Sequence, residues 1–368
     1  MATDTRTTER FCALRNQMAT IEVDLLVLGP GSHMRWLLDF APHADERPCL
    51  LFISRKSEAF LMPALNAEDV AAQTDITLYR WHDGDGPSKA LTHVLADVDA
   101  ASAKTVAIDE TLRADHALLA LDALPGVQRR FAHAALGPLR ITKDAEEHSG
   151  LMASARINDT AMQTAFDLVQ PGTTERQIAA AVHRLYLDHG ATPAFDIIGS
   201  GANGSYPHHE TSNRALAAGD PVVIDIGGIY NGYPSDMTRM AVAGEPSTEY
   251  LKLHQIVENA VTAALAAARP GVEARVVDTA ARDVIEEAGY GQYFTTRTGH
   301  GLGLDLHEMP YLSTTAETIL TPGMVFSIEP GIYIPGQMGI RLEEVVYLGD
   351  NRPEIFSALP RDAYRANT

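Results

Sequence analysis

The sequence predicts an α/β domain over residues 1–138 and an α+β domain over 139–368, the second built by an internal, pseudo-twofold duplication. Three observations predict this. Strand-like apolar runs alternate with helix-length segments through the first part of the chain. Beyond them, short motifs recur in the same order at near-constant spacing. The length, 368 residues, also exceeds that of one ordinary domain.

In the first domain residues 8–18 read as an amphipathic helix. The strands expected after it are VDLLVL (23–28), CLLFIS (49–54), EAFLMP (58–63), DITLYR (75–80) and TVAID (105–109), with room for helices between them in a parallel or mixed sheet. Gly29-Pro30-Gly31-Ser32 is a turn signal without the full glycine fingerprint of a dinucleotide site. Cys12 and Cys49 offer neither a disulfide framework nor zinc spacing, and both are expected to be buried, inert thiols.

The pattern changes around GPLRITKD (137–144), which places the domain boundary there. Residues 145–169 form a long Ala/Met/Leu-rich helix stopped by Pro171-Gly172, and Thr174 and Gln177 offer a capping box for a helix over 175–188. The motifs then repeat. Pro171-Gly172 returns as Pro270-Gly271 before a helix over 272–288, and His208 is echoed by His307, both at an offset of 99. IDIGGIY around Asp225 is matched by IEPGIY around Glu329, at an offset of 104, and Asp236 is matched by Glu343, at 107.

Within the first repeat, PVVIDIGGIYNGYPSDMTR (221–239) reads as two strands flanking Asn231-Gly232, the dipeptide of a two-residue type I′ turn. With that turn, residue 227 faces 236, so Asp225 and Asp236 share a face and lie diagonally adjacent. Two ionised carboxylates so close repel unless a cation sits between them. Bringing the halves together would add Glu329 and Glu343, and four buried carboxylates require compensation, which two divalent cations supply. His300, in TGHGLGLDLHE, is the candidate imidazole, and Gly299 and Gly301 would let its backbone approach the metals.

Composition sets the outer limits. The chain is 45% hydrophobic and 21% charged, an ordinary globular mixture, and its formal net charge of −19 argues against nucleic acid or an anionic membrane as partner. The N-terminus lacks an apolar signal core and no run approaches the roughly 18 apolar residues of a membrane span, so a cytoplasmic protein is expected.

Taken together, D-x10-D at 225 and 236, G-H-G at 299–301, I-E-P-G at 328–331 and R-L-E at 341–343 resemble the metallopeptidases of the pita-bread fold, which include methionine aminopeptidase, aminopeptidase P and prolidase. The first domain resembles the creatinase-type N-terminal domain of the Xaa-Pro branch. The resemblance implies a pita-bread catalytic domain holding two divalent metals, manganese foremost, with cobalt, zinc or iron as alternatives. It implies that Asp225 chelates one metal, that His300 and Glu329 hold the other, and that Asp236 and Glu343 bridge them. A water shared by the pair would be the nucleophile and Glu329 its general base. His307 would stabilise the tetrahedral intermediate, His208 would contact substrate from the opposite wall, and Arg341 would lie near the substrate's far end. Thr238 would hydrogen-bond a ligand carboxylate, whereas His209 reads as a surface neighbour, and Glu308 and Tyr333 read equally as cleft buttresses or as working groups.

One position departs from the branch: Thr296 stands where a histidine is common, four residues before His300. The activity implied is hydrolysis of the bond between an N-terminal residue and proline, by a homodimer, with a dipeptidase (prolidase) favoured over aminopeptidase P. The alternatives on the same scaffold are a metal-dependent lyase acting on dimethylsulfoniopropionate and a non-catalytic binding protein.

Overall fold

The computed structural model describes residues 5–365, and the chain divides into two units between Arg140 and Ile141. The first unit begins with α1 (Thr5–Thr20), which buries Phe11, Leu14 and Met18 along one stripe. Cys12 lies off that stripe and is exposed, contrary to the expectation from sequence. Cys49 is buried, and burial pushes its thiol up to about 12.

The elements that follow are β1 (Leu25–Leu28), α2 (Ser32–Leu38), β2 (Leu50–Ser54), β3 (Glu58–Pro63), α3 (Ala67–Ala71), β4 (Thr77–Trp81), α4 (Ser88–Asp97), β5 (Thr105–Ile108), α5 (Ala114–Asp122), β6 (Gln128–Phe131) and α6 (His133–Arg140). They build a mixed six-stranded sheet in the order β4-β3-β2-β1-β5-β6. The five strands read from sequence are all present: β1, β2, β3 and β5 are apolar runs buried in the sheet, and β4 is a more exposed edge strand. Strand β6, QRRF, was not foreseen: it is exposed at every residue on the sheet edge and has no alternation to read.

The second unit starts with α7 (Ala145–Phe166) and α8 (Glu175–Asp188), each opened by a reciprocal capping box, Asp144 with Glu147 and Thr174 with Gln177. Strands β7 (Thr192–Ser200), β8 (Pro221–Tyr230), β9 (Tyr233–Pro234) and β10 (Met237–Val242) follow, then α9 (Thr248–Ala267) and α10 (Ala274–Glu287). The second set of strands comprises β11 (Gly299–Gly301), β12 (Glu308–Leu312), β13 (Val325–Ile328), β14 (Gly331–Ile334), β15 (Met338–Arg341), β16 (Glu344–Leu348), β17 (Pro353–Ile355) and β18 (Tyr364–Arg365). One sheet runs β18-β10-β8-β7 with β9 on β8, another β12-β11-β13-β16-β17, and β14 pairs β15.

The duplication is visible in the backbone hydrogen bonds. Gly172 N donates to Leu216 O and Gly271 N to Leu320 O; Leu216 N returns to Thr173 O and Leu320 N to Val272 O. Arg176 N to Ser212 O is matched by Arg275 N to Ala316 O. Each pair differs by 99 residues on the helix side and 104 on the loop side, the offsets read from the motifs. The second unit is thus a duplicated α+β domain, as the motif spacing predicts, and the first an α/β domain.

Each half has its own core. Helices α7 and α8 pack on Val222, Ile224, Ile226 and Ala241, while α9 and α10 share a core with Val223, Met240 and Val242 and with the second set of strands. Strands β8 and β10 are therefore buried on both faces, and alternate residues look into opposite halves. Asp225 shares a face with Val223, and Asp236 and Thr238 share one with Met240. Asp225, Asp236 and Thr238 thus point at the second half.

Candidate metal centre

The hairpin register is the expected one. Tyr230 pairs Tyr233, Thr238 pairs Asp225, and Asn231 and Gly232 both adopt positive φ, 50° and 83°, as a type I′ turn requires. Thr238, fully buried, donates from its hydroxyl to Glu343 Oε2 at 2.9 Å and accepts from Arg341 Nε at 3.0 Å. The expected hydrogen bond from Thr238 to a candidate ligand carboxylate is present, and its recipient is Glu343.

From the second half come His300 on β11, Glu329 just after β13, and Glu343 between β15 and β16. His300 Nδ1 lies 3.0 Å from the carbonyl of Gly301, which can only accept, so Nδ1 carries the proton and Nε2 faces the cavity. Nε2 is 3.2 Å from Glu329 Oε1 and 3.5 Å from Asp236 Oδ2. Ser327 ties this side together, accepting from His300 N at 3.0 Å and donating to Glu329 Oε1 at 2.9 Å. The flanking glycines have a different purpose from the one expected. A side chain on Gly299 would run into the carbonyl of Ser327 and one on Gly301 into that of Met309, so they admit neighbouring strands to β11.

The five predicted ligand positions fall into two overlapping triads. Asp225, Asp236 and Glu343 form one, and His300, Glu329 and Glu343 the other, with the candidate atoms in each triad within 4.8 Å of one another. Asp236 also belongs with His300 and His307 in a third such group. Glu343 is common to both main triads, and Asp236 reaches from one side to the other.

This donor set fits divalent cations. Asp225 Oδ1 and Glu343 Oε1 are buried without a hydrogen-bond donor, which is costly for a carboxylate in a protein that otherwise satisfies its polar groups. Burial, followed by neighbouring carboxylates, holds Asp236 and Glu343 well above the usual carboxylate range. Burial likewise raises Asp225, with Arg341 opposing. Lone pairs from His300, Asp236 and Glu329 converge with only protons or a cation to reconcile them. Carboxylate oxygens with one imidazole suit first-row divalent metals, and the donors alone do not choose among them.

The remaining predicted residues surround this cluster. The ring of His307 meets His300 edge-on at 4.1 Å, and burial, then the neighbouring charges of His300 and Arg297, lower its pKa to about 4. His208 is exposed in the turn after Pro207 and is close enough for its charge to act on His307. Arg341 is buried and closely engaged: it pairs with Asp225 Oδ2 at 2.5 Å and donates to Tyr333 Oη at 2.7 Å and Pro207 O at 3.2 Å. Tyr333 is thereby a support for Arg341. Glu308 makes a buried ion pair with Lys143 at 2.7 Å. His209 is no simple surface neighbour, since its Nε2 lies 3.0 Å from the buried Glu175. Thr296 Oγ1 is buried without a hydrogen-bond partner among the described residues.

Three residues that sequence reasoning passed over also frame the site. Ser327 links two ligand positions, Glu175 anchors the loop that carries His208, and Arg239 binds the backbone of Thr238 and Glu343. Ser327 adjoins the I-E-P-G motif, Arg239 lies three residues after Asp236, and Glu175 lies inside its helix's capping box; that adjacency is the signal each carried.

A duplicated fold that gathers carboxylates and an imidazole into two overlapping triads defines a candidate metalloprotein, and comparison with known proteins supplies the family. The model of metallopeptidase family M24 matches residues 149–350, and that of the creatinase/prolidase N-terminal domain matches residues 10–139. The chain belongs to metallopeptidase family M24. It is 38% identical over 333 residues to the "Probable dipeptidase PepE" of Mycobacterium tuberculosis, covering 89% of this chain and 88% of that protein. It is 44% identical over 215 residues to the "Xaa-Pro dipeptidase" of Pyrococcus furiosus, covering 58% of this chain and 62% of that protein. The crystal structure of dipeptidase PepE from Mycobacterium ulcerans superposes with a TM-score of 0.92 at 35% identity, over 99% of each chain.

Proposed function

We propose that this protein is a dinuclear-metal Xaa-Pro dipeptidase, which hydrolyses the bond between an N-terminal residue and proline. The observation that carries the reading is the pair of triads sharing Glu343, in a chain that matches a "Probable dipeptidase" and an "Xaa-Pro dipeptidase" over about nine-tenths of its length. Asp225, Asp236 and Glu343 would hold one cation and His300, Glu329 and Glu343 the other, with Asp236 and Glu343 common to both. Two divalent cations bound there would neutralise the four carboxylates, polarise the scissile carbonyl and supply an ionisable water near neutral pH.

The protein's own groups account for the rest. Glu329 takes the proton of the attacking water and returns it to the proline nitrogen, which leaves as a secondary amine and needs that proton. His307, whose low pKa keeps it neutral at pH 7, donates to the carbonyl oxygen as charge develops. His208 closes the opposite wall. Arg341 orients Asp225, and its Nη2 is the donor for which a substrate can compete.

Manganese is the proposed metal, and a cytoplasmic homodimer the proposed state; a monomeric mass in solution at micromolar concentration would contradict the latter. Among the described residues no helix is long and apolar enough to cross a membrane.

The test is release of alanine from Ala-Pro and from an Ala-Pro-Xaa tripeptide by metal-stripped protein, with and without Mn²⁺. Turnover of Ala-Pro only with metal is expected, with the tripeptide slower. A faster tripeptide would reassign the protein as an aminopeptidase. Inactivity on both, with metal bound, would overturn peptide cleavage, and release of dimethyl sulfide from dimethylsulfoniopropionate would then identify a lyase.

A further inference from the structure

Arg239 follows Thr238 on β10, and its side chain is fully buried. Its donors reach three separate stretches of chain. Nη1 donates to the carbonyls of Thr238 at 3.1 Å and Glu343 at 2.5 Å. Nη2 meets Glu344 at 3.0 Å, Leu359 O at 2.9 Å and Ser357 Oγ at 3.3 Å, and Nε donates to Pro360 O at 3.1 Å.

The segment it grips is anchored from outside as well. Asp159 on α7 accepts from Ser357 Oγ at 2.6 Å and from Ala358 N at 2.9 Å. Arg361 bridges Glu344, at 3.1 Å, to Glu258 of α9, at 2.7 Å.

A buried guanidinium is costly, and an apolar side chain of similar volume would fill the space without that cost. What arginine adds is a planar fork of donors that holds several acceptors from different segments in one geometry. Two of those acceptors are the carbonyls of Thr238 and Glu343, the residues whose side chains bond to each other at 2.9 Å in the acidic cluster. The contacts from Ser357 to Arg361 lie beyond residue 350, where the family match ends.

We propose that Arg239 is a positioning residue of the metal centre, and that the segment Ser357–Arg361 locks it in place, so that this segment governs how tightly the centre takes up metal. The inference rests on reading the acidic cluster as a metal site. Arg239 acts through the backbone at Thr238 and Glu343, and the segment acts through Arg239; neither supplies a ligand.

Two variants test it in the full-length, metal-stripped protein: Arg239→Lys, which keeps the charge but loses the fork, and Asp159→Ala, which frees the segment without touching Arg239 or any ligand position. Mn²⁺ uptake is titrated by calorimetry, and thermal melts are recorded with and without the metal. Arg239→Lys is expected to weaken uptake by roughly 10- to 100-fold, the range for residues that orient ligands, and Asp159→Ala to weaken it by a smaller factor. Both should show a smaller rise in melting temperature on adding Mn²⁺. Lower melting temperatures with wild-type Mn²⁺ affinity would overturn the proposal and leave Arg239 as support for the fold alone. If Arg239→Lys does not fold, Asp159→Ala decides the question. Failure of the wild type to take up Mn²⁺, Co²⁺ or Zn²⁺ would overturn the metal reading itself.

Discussion

Glu175 is the first residue of α8, and its carboxylate is fully buried. It survives there because donors surround it: the amide and hydroxyl of Ser200, at 2.8 and 2.7 Å, the side chain of Asn203 at 2.9 Å, and the amide and hydroxyl of Ser212, at 3.1 and 2.6 Å. Burial alone would raise its pKa, but these bonds and His209 outweigh it and hold the group at about 2, against an ordinary 4.5. The folded state therefore binds fewer protons than the unfolded one between those values. Its contribution is present above the unfolded pKa and lost as pH falls from 4.5 towards 2. Glu175→Gln should accordingly melt lower than wild type at neutral pH, and the difference should shrink as pH drops through this window. Thermal melts of both proteins at three or four pH values check this; a constant gap would show that the charge contributes nothing.

At the scale of the element, β11 shows how the strand carrying His300 is placed. It is only three residues long, Gly299–Gly301, and each glycine admits a neighbouring carbonyl. Gly299→Ala should push β11 off β13, cost on the order of 1–3 kcal/mol as overpacking does, and weaken Mn²⁺ uptake because His300 moves with the strand. A thermal melt and a metal titration measure the two effects, and wild-type values in both would mean the strand tolerates the shift. The β8–β10 hairpin was legible from sequence because its information is local: a turn dipeptide, period-two alternation and carboxylates where apolar residues belong. The residues that gather in the acidic cluster were legible for the same reason, each lying inside a short motif. Arg239 and Glu175 were not, since their partners lie many residues away and a buried charge looks like a surface one until the chain is folded. Cys12 and β6 failed in a different way. The helix stripe that decides burial passes beside Cys12, and β6 has no apolar face at all.

At the scale of the whole molecule, the chain carries a net charge of −19 and buries a cluster of carboxylates that bound cations would neutralise. Metal that binds only the folded chain stabilises it by mass action, by about 2.7 kcal/mol at a hundredfold excess over Kd. The melting temperature should therefore fall on chelation and recover in proportion to the logarithm of added Mn²⁺. Calorimetric melts across a metal series check this, and a melting temperature indifferent to chelator would remove the cations from the account of stability.

The duplicated frame has a consequence for direction. Its backbone bonds repeat faithfully from half to half, but its furnishing does not: the imidazoles of His300 and His307 line one side, and the guanidinium of Arg341 braces Asp225 on the other. A symmetric cage would read a peptide equally well from either end. By keeping the frame and letting the side chains diverge, this chain has given its cleft a polarity, and a cleft with polarity can tell a first residue from a last.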